Sequence, residues 1–529
     1  MGVVTMPNLE RQTEIEVREE LAVVTDEAVD ALAARGGGGL FVRGGVLVRM
    51  AKQERLRAED EPEPEGTIHR EAGTLFISEA PVPYIREQLD RAACWWKRKY
   101  DRTKQKHVRA SALPPSWVAE TIAARGAWPF PVLNGVTTTP LLRADGSILQ
   151  DAGYDPATGF YLAPDMEYWE IQKSPTARDA GRSAVELAEV YCDFPFVSDS
   201  DRAAAIGLPL SILGRPAITG PVPMTAFRAP TPGTGKTLLA DVGFRIALGH
   251  TAPRTSPSND DNEMRKLLLS IGLAGDAAVL LDDVTGNFGS SSLDAALTAM
   301  EISGRLLGLN KTACVPMRTV FAITGNNLGF RGALGRRVIP CDIDAGVENP
   351  EERKGPDSEH PFTHPDLLGW LASERPRLVV ACLTLLRAYI VAGRPGHGLP
   401  PKGSFEAWDA LIRGALIWSG IGDPLGGQKR LREESDSDLD ALRAGLAAWE
   451  GVFGAAPATA AEAIRRTASD KALLSALATF TGCDEARLDA RRLGYALRRH
   501  RGRPFNGRRF IREGEDRLAG VLWSVKVDA

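Results

Sequence analysis

The chain has few cysteines and no means of using them together. Its six, at 94, 192, 314, 341, 382 and 483, include no C-x-x-C pair. That excludes a zinc module built on paired thiolates and argues against a disulfide framework. A long apolar run is missing as well. The opening stretch MGVVTMPNLERQTEIE carries no segment of signal-peptide character. The most apolar helix candidate, Leu378–Val391, is too short to cross a bilayer and contains Arg387. A soluble, cytoplasmic protein without membrane contact is therefore expected. An excess of one charge is absent too: 64 basic against 68 acidic residues leave a net charge of −4. The whole-chain balance gives no argument for a nucleic-acid partner, so any such argument rests on local clusters. Before residue 170 there is no D-x-D pair with a supporting histidine, so no primase-polymerase site is expected. His360 and His364 have no third ligand in sequence reach, and metal ligation is not expected of them.

At 529 residues the chain exceeds one hydrophobic core. Residues 1–172 read as a mixed α/β N-terminal domain of unknown role. Two short strands, GGLFVRGGVLVRMA, precede the acidic, proline-rich linker Ala58–Gly66, and a helix follows over Val82–Arg109. Residues 183–345 alternate helical and strand patterns, the mark of a parallel sheet between helices. The apolar runs at 222–227, 277–281, 319–323 and 337–343 are its expected strands. Residues 346–430 read as a helical subdomain with helices near 366–392 and 404–418. The acidic stretch EESDSD (433–438) then opens a last domain, 440–529, of three helices and a β-hairpin.

The chemistry gathers at strand ends. PTPGTGKT, Pro230–Thr237, follows one apolar run and precedes the helical TLLADVGFRIAL. Strand, glycine-rich loop and helix are what a phosphate cradle needs. Pro232, Gly233, Thr234, Gly235, Lys236 and Thr237 are the candidate ATP contacts, with Lys236 on the β- and γ-phosphates and Thr237 on Mg²⁺. Pro230 stands where the pattern has its first glycine. Forty-six residues after Lys236, AAVLLDDV ends a strand in two carboxylates. Asp282 is placed on Mg²⁺ with Thr237, and Asp283 as the base that polarises the attacking water. Related ATPases often carry glutamate there, one methylene longer. RTVFAITGNNLGFRGALGRR, Arg318–Arg337, ends a third strand in Thr324, Gly325, Asn326 and Asn327. Asn326 is the candidate sensor of the γ-phosphate or lytic water. Arg336 and Arg337 are candidates for a finger reaching a neighbouring subunit's nucleotide.

Between Arg487 and Arg512 ten arginines face a single acid, Asp489. In LDARRLGYALRRH the apolar positions 488, 493 and 497 fall on one helical face, leaving Arg491, Arg492, Arg498 and Arg499 outward. Asn506–Gly507 is expected to turn a basic β-hairpin wing that carries Arg508 and Arg509, and helix plus wing suit duplex DNA. CWWKRKYDRTKQKHVR, Cys94–Arg109, mixes aromatic and basic residues; single-strand stacking and core packing both remain open for it.

Taken together, DFPFVSDSDRAAA (193–205), APTPGTGKTLLA (229–240), LLDDV (280–284), GRLLGLNKT (304–312), TGNN (324–327) with its trailing GRR, HPDLLGWLASERPRLVVACLTLLRAYIVAGRP (364–395) and GSFEAWDALIRGALIWSGIGDP (403–424) resemble a superfamily 3 helicase. The type is the AAA+ half of phage and prophage primase-helicases of the poxvirus-like family, and the resemblance covers roughly 185–425. It implies an AAA+ P-loop ATPase core, a C-terminal winged-helix-like domain, ATP and Mg²⁺ as cofactors, and a homo-hexameric ring on single-stranded DNA. It also implies a hairpin ahead of the sensor strand, here Arg305–Arg318, with Asn310–Lys311 at its tip and Lys311 gripping the phosphate backbone. The expected function is an ATP-dependent DNA helicase or translocase in replication of a phage or mobile element, working with replication proteins. The alternatives are a DNA-binding initiator that uses ATP only for assembly, and a protein remodeller.

Overall fold

The computed structural model describes residues 13–54, 68–258, 260–305, 312–356, 360–435, 437–505, 507–516 and 520–527. Apolar runs with almost no polar interruption belong in strands covered on both faces. Here they form β1 (Met224–Ala229), β3 (Ala278–Leu281), β4 (Val320–Asn326) and β5 (Val338–Asp342), and a two-residue strand, β2 (Arg254–Thr255), joins them. These pair in the order β2-β3-β4-β1-β5, all parallel. Four of the five lie within three residues of their sequence expectation. β2 was not anticipated, since TAPRTSP offers two prolines and no apolar run.

Register fixes what meets at the carboxyl ends. Ala229 is opposite Asn326, and Leu281 is opposite Ile323. The loops after β1, β3 and β4 therefore leave the sheet side by side. Helices α1 (Asp199–Leu213), α2 (Lys236–Leu248), α3 (Asp261–Ala274) and α4 (Leu367–Val391) accompany the sheet. α1 is buried along nearly its whole length. Among the described residues no helix is long and apolar enough to cross a membrane.

The chain divides into two units, 1–428 and 429–529. Within the first, Ile15, Leu32, Ile85, Leu89, Trp95 and Ile122 belong to a hydrophobic cluster of their own. Leu141, Leu149, Phe160 and Leu162 instead join the cluster around the central sheet. The buried Arg375 of α4 secures that union, donating to Asp165 at 2.8 Å, to Thr139, and to the Ile246 carbonyl at 3.3 Å. The expected helix over Val82–Arg109 ends at Ala92. A strand, Ala93–Asp101, continues it and pairs antiparallel with Lys106–Ser111. Residues 93–95 alternate buried, exposed, buried, a period of two, and the Trp95 indole donates to the Leu89 carbonyl at 3.0 Å, pinning the change of direction.

The expected helix at 404–418 is interrupted by a π-type turn, Asp409–Arg413. There the buried Arg413 donates to Asp409 and Asp423, each at 2.8 Å. Among the described residues the helix Gln428–Ser435 leads into the second unit, and four more follow where three were expected: Ser437–Phe453, Ala460–Thr467, Lys471–Thr481 and Ala490–Arg499. A three-stranded antiparallel sheet accompanies them, with Gly520–Val527 between Ala458–Thr459 and Arg508–Asp516. Trp449, Phe480, Leu493, Phe510 and Trp523 are central to its core. Gly507, at φ +72°, lies ahead of the long hairpin, whose turn at 517–519 is outside the described residues, as is Asn506. The expected turn position is thus corrected: backbone bonds in both directions between Phe505 and Arg508 close a smaller turn there.

Candidate nucleotide site

Lys236 is the first residue of α2, immediately after Gly235. Gly233 and Gly235 have φ of +75° and +98°, a region glycine enters without a Cβ penalty. The loop thus turns directly into the helix N-terminus, where unpaired backbone amides are able to meet an anion. Space makes the same demand at Gly233: a Cβ would stand 2.5 Å from the Glu351 carboxylate. Lys236 is half-buried and makes no ion pair among the described residues.

The structure brings the first two motifs together. Thr237 Oγ1 lies 3.4 Å from Asp282 Oδ1. The fully buried Thr324 donates to the same Asp282 oxygen at 2.5 Å and accepts the Asp283 N–H at 3.0 Å. Asp283 also donates its N–H to Asp282 Oδ1 at 3.1 Å, has φ of +53°, and is exposed. Its carboxylate therefore faces solvent beside the cradle on a strained residue. Asn326 Oδ1 is buried without a hydrogen-bond partner, an acceptor held in waiting. Asn327, at φ +47°, donates from its side chain to the Pro230 carbonyl at 3.1 Å and from its backbone to Ala229 at 3.0 Å. β4 thereby anchors the start of the glycine loop.

The two candidate finger residues differ. Arg337 is committed to Asp294 at 2.6 Å, both side chains mostly buried. Arg336 is exposed and has no ion pair among the described residues. The hairpin ahead of β4 pairs Glu301–Arg305 with Thr312–Pro316, beginning four residues earlier than the expected Arg305–Arg318. Its connection, with Lys311, lies outside the described residues.

In the second unit, Arg491, Arg492 and Arg498 are exposed on the helix Ala490–Arg499, while Leu493 and Leu497 are buried. Arg491 and Arg498 flank the exposed Tyr495 ring at 5.9 and 4.8 Å. Arg508 is exposed but pairs with Glu450 at 3.2 Å, and Arg509 is half-buried on the strand. The Arg499 side chain lies outside the described residues.

No protein-family model and no curated protein matches the chain. Among solved structures it is similar to an inhibitor-bound JCV helicase at 16% identity, over 49% of this chain and 61% of that one, with a TM-score of 0.21. A second JCV helicase structure stands at 15% identity, over 49% and 69%, TM-score 0.20. The apo NrS-1 C-terminal region stands at 12%, over 81% and 96%, TM-score 0.30. The chain thus spans about three fifths of the first JCV helicase chain it matches. Likeness this loose leaves the chemistry to be carried by the site's own geometry.

Several residues of the site escaped sequence reasoning. Arg254, on β2, binds Asp241 of α2 through two contacts at 2.9 and 3.0 Å and stands 3.7 Å from Asp282 Oδ2. Burial holds the Asp241 carboxyl above its ordinary range despite that guanidinium. A cavity of about 260 Å³ opens beside the glycine loop, with Phe194, Leu238, Pro350, Glu351, Phe362 and His364 among its walls. Asp193 closes one side, accepting from Thr363 Oγ1 at 3.0 Å and the His364 N–H at 3.1 Å. Asp193, Phe194 and His364 fall in stretches that carry the helicase resemblance, but no local pattern assigns them a place at the cradle, since Asp193 meets Thr363 and His364 across 170 and 171 residues.

Proposed function

We propose that this chain is an ATP- and Mg²⁺-dependent DNA helicase or translocase that works as a homo-hexameric ring in replication of a phage or mobile element. The observation that carries the ATP site is the 3.4 Å approach of the Thr237 hydroxyl to the Asp282 carboxylate. A hydroxyl from the loop and a carboxylate from the next strand tip but one, both beside an N-terminal lysine, fit a magnesium-bound triphosphate. The left-handed glycines and the orphaned Asn326 oxygen fit the same group. The strand order β2-β3-β4-β1-β5 supports the AAA+ reading.

On this reading Mg²⁺, when bound, draws charge from the β- and γ-phosphate oxygens. Thr237 and Asp282 hold it; Thr324 and Arg254 keep Asp282 oriented. Lys236 and the amides of 233–237 meet the phosphates, and the cavity beside Phe194 takes the base. Asp283 and Asn326 orient the lytic water. Arg336 is the finger, since Arg337 is engaged with Asp294 in its own protomer. A finger supplied in trans makes hydrolysis depend on ring assembly. Helix Ala490–Arg499 and the antiparallel hairpin behind it support a winged-helix-like duplex contact.

Lys236→Ala tests this: a folded variant neither hydrolyses ATP nor unwinds a forked duplex. Unwinding at the normal rate by that variant overturns the assignment. The exposed, strained Asp283 gives a specific reason to keep a second reading, an initiator that uses ATP for assembly alone. Such a protein binds DNA and oligomerises with ATP but displaces no strand.

A further inference from the structure

The antiparallel pair Ala93–Asp101 and Lys106–Ser111 begins in the first unit's core and leaves it. Ala93 and Trp95 are buried, and the strand Thr13–Glu16 covers their edge in parallel as far as Trp96. Val17 donates the last bond on that edge, to the Trp96 carbonyl at 2.7 Å. From Lys97 outward the two strands have no third partner among the described residues. Residues 97–100, 102–107 and 109 are exposed. At about 3.4 Å per residue the free ribbon projects roughly 17 Å.

Its charge is of one sign. From Lys97 to Arg109 there are seven lysines and arginines and one acid, Asp101, in a chain whose net charge is −4. Lysines on an open edge discourage strand pairing with another chain, yet that needs only charge, not one sign on both faces. Residues opposite in register share a face. One face holds Arg98 with Arg109 and Tyr100 with His107; the other holds Lys97, Lys99 and Lys106, with the one acid, Asp101, opposite Lys106 at the far end. On the first, Arg98 pairs with Glu16 and Arg109 with Glu14, each at 2.7 Å. Lys97, Lys99, Arg102 and Lys106 make no ion pair among the described residues.

The aromatic rings are already engaged. Arg109 covers the Trp96 ring at 4.9 Å, and His107 meets Tyr100 edge-on at 5.3 Å. Neither forms a bare platform for stacked bases, which a single-strand contact requires. What remains is an exposed, two-stranded, positively charged finger. That shape enters the major groove of B-DNA, about 12 Å wide, which admits a two-stranded β-ribbon.

We propose that the ribbon 93–111 is a separate duplex-DNA contact, sequence-independent, in which Lys97, Lys99, Arg102 and Lys106 neutralise phosphates along the groove. It goes beyond the reading of the ATP site and stands or falls without it. The test is duplex binding by the full chain without nucleotide, using a 30-base-pair DNA and the corresponding single strand from 50 to 200 mM salt. Each phosphate contact contributes about 0.9 to the slope of log affinity against log salt. The variant Lys97→Ala/Lys99→Ala/Lys106→Ala therefore flattens the duplex slope by about 2.7, which makes binding about fortyfold less salt-sensitive over that range. Single-strand binding and ATP turnover stay at the wild-type level. An unchanged duplex slope in the folded variant overturns the proposal, and so does a loss confined to single strands. Glu14→Gln/Glu16→Gln supplies a gain-of-binding check that survives any folding defect in the first variant. Freeing Arg98 and Arg109 steepens the duplex slope; no steepening counts against the proposal. Loss of duplex binding with intact turnover leaves the ATP site untouched, so the two readings fail separately.

Discussion

Thr324→Val removes one oxygen atom and changes little else, and the expected consequence falls on magnesium. Thr324 is fully buried, and its hydroxyl joins two strand ends, donating to Asp282 and accepting from the Asp283 backbone. Valine fills the same space without either bond. Asp282 keeps its contacts with Thr237 and the Asp283 N–H, so the fold survives with a loss of about 1–2 kcal/mol. The carboxylate nevertheless loses its shortest restraint, and Asp283 loses one of two bonds holding it at φ +53°. Groups that orient a metal ligand are worth about 10–100-fold in metal affinity or activity, or about 1.4–2.7 kcal/mol. The assay is ATP turnover across a Mg²⁺ titration at saturating ATP, with a melting curve as control. The half-saturating Mg²⁺ concentration rises by about 10–100-fold, and Thr324→Ser, which restores the hydroxyl, recovers most of it. A well-folded Thr324→Val protein with the wild-type Mg²⁺ curve refutes the argument that this hydroxyl positions Asp282.

The remaining predictions separate neighbouring groups. Arg336→Ala lowers ATP turnover by about 1000-fold or more without shifting the melting temperature, and mixing it with Lys236→Ala subunits restores part of the activity. Arg337→Ala instead strips Asp294 of its partner and costs about 1–3 kcal/mol of stability; a melting curve distinguishes the two. The Asp261 carboxylate accepts from the hydroxyls of Ser290, Ser291 and Ser292 and from the Ser292 N–H at 2.6–3.0 Å. These bonds hold it far below its ordinary 3.8. The unfolded chain therefore takes up that proton first on acidification, so the stabilisation is complete at neutral pH and fades as pH drops below about 4. Asp261→Asn is accordingly less stable than wild type at pH 6, and the gap narrows toward pH 3. A gap that stays constant with pH sinks the assignment.

Much of the ridge of strand ends was legible in the sequence, because a buried parallel strand leaves an unmistakable trace. VPMTAF, AVLL and VFAI are largely apolar runs followed at once by polar residues, Arg228, Asp282 and Thr324, and a strand covered on both faces has few other ways to be written. The glycine loop was legible for a related reason: φ above zero twice within three residues requires glycine, and the lysine must follow at once to begin a helix. The basic helix declared itself through period and charge together. What stayed hidden were contacts across long separations and structure without periodicity. Arg254 sits on a two-residue strand between prolines, and nothing local announces that it faces Asp241 and Asp282. Leu141–Leu162 joins the central core through Arg375, more than 200 residues away. The helix read at 82–109 became a helix and a ribbon, since apolar spacing cannot distinguish the two where tryptophans, lysines and arginines adjoin.

By itself the sequence determined which glycines, hydroxyls, carboxylates and lysine stand at strand ends, since residue type and chain position are covalent and local. Tertiary structure alone decided which of them meet. Strand register set Ala229 beside Asn326, pairing with Asp294 took Arg337 out of contention, and among the described residues no third strand covers the ribbon beyond Trp96. Each is a choice of partner, and a partner is fixed only when burial of the whole core makes one arrangement lower in free energy than its rivals.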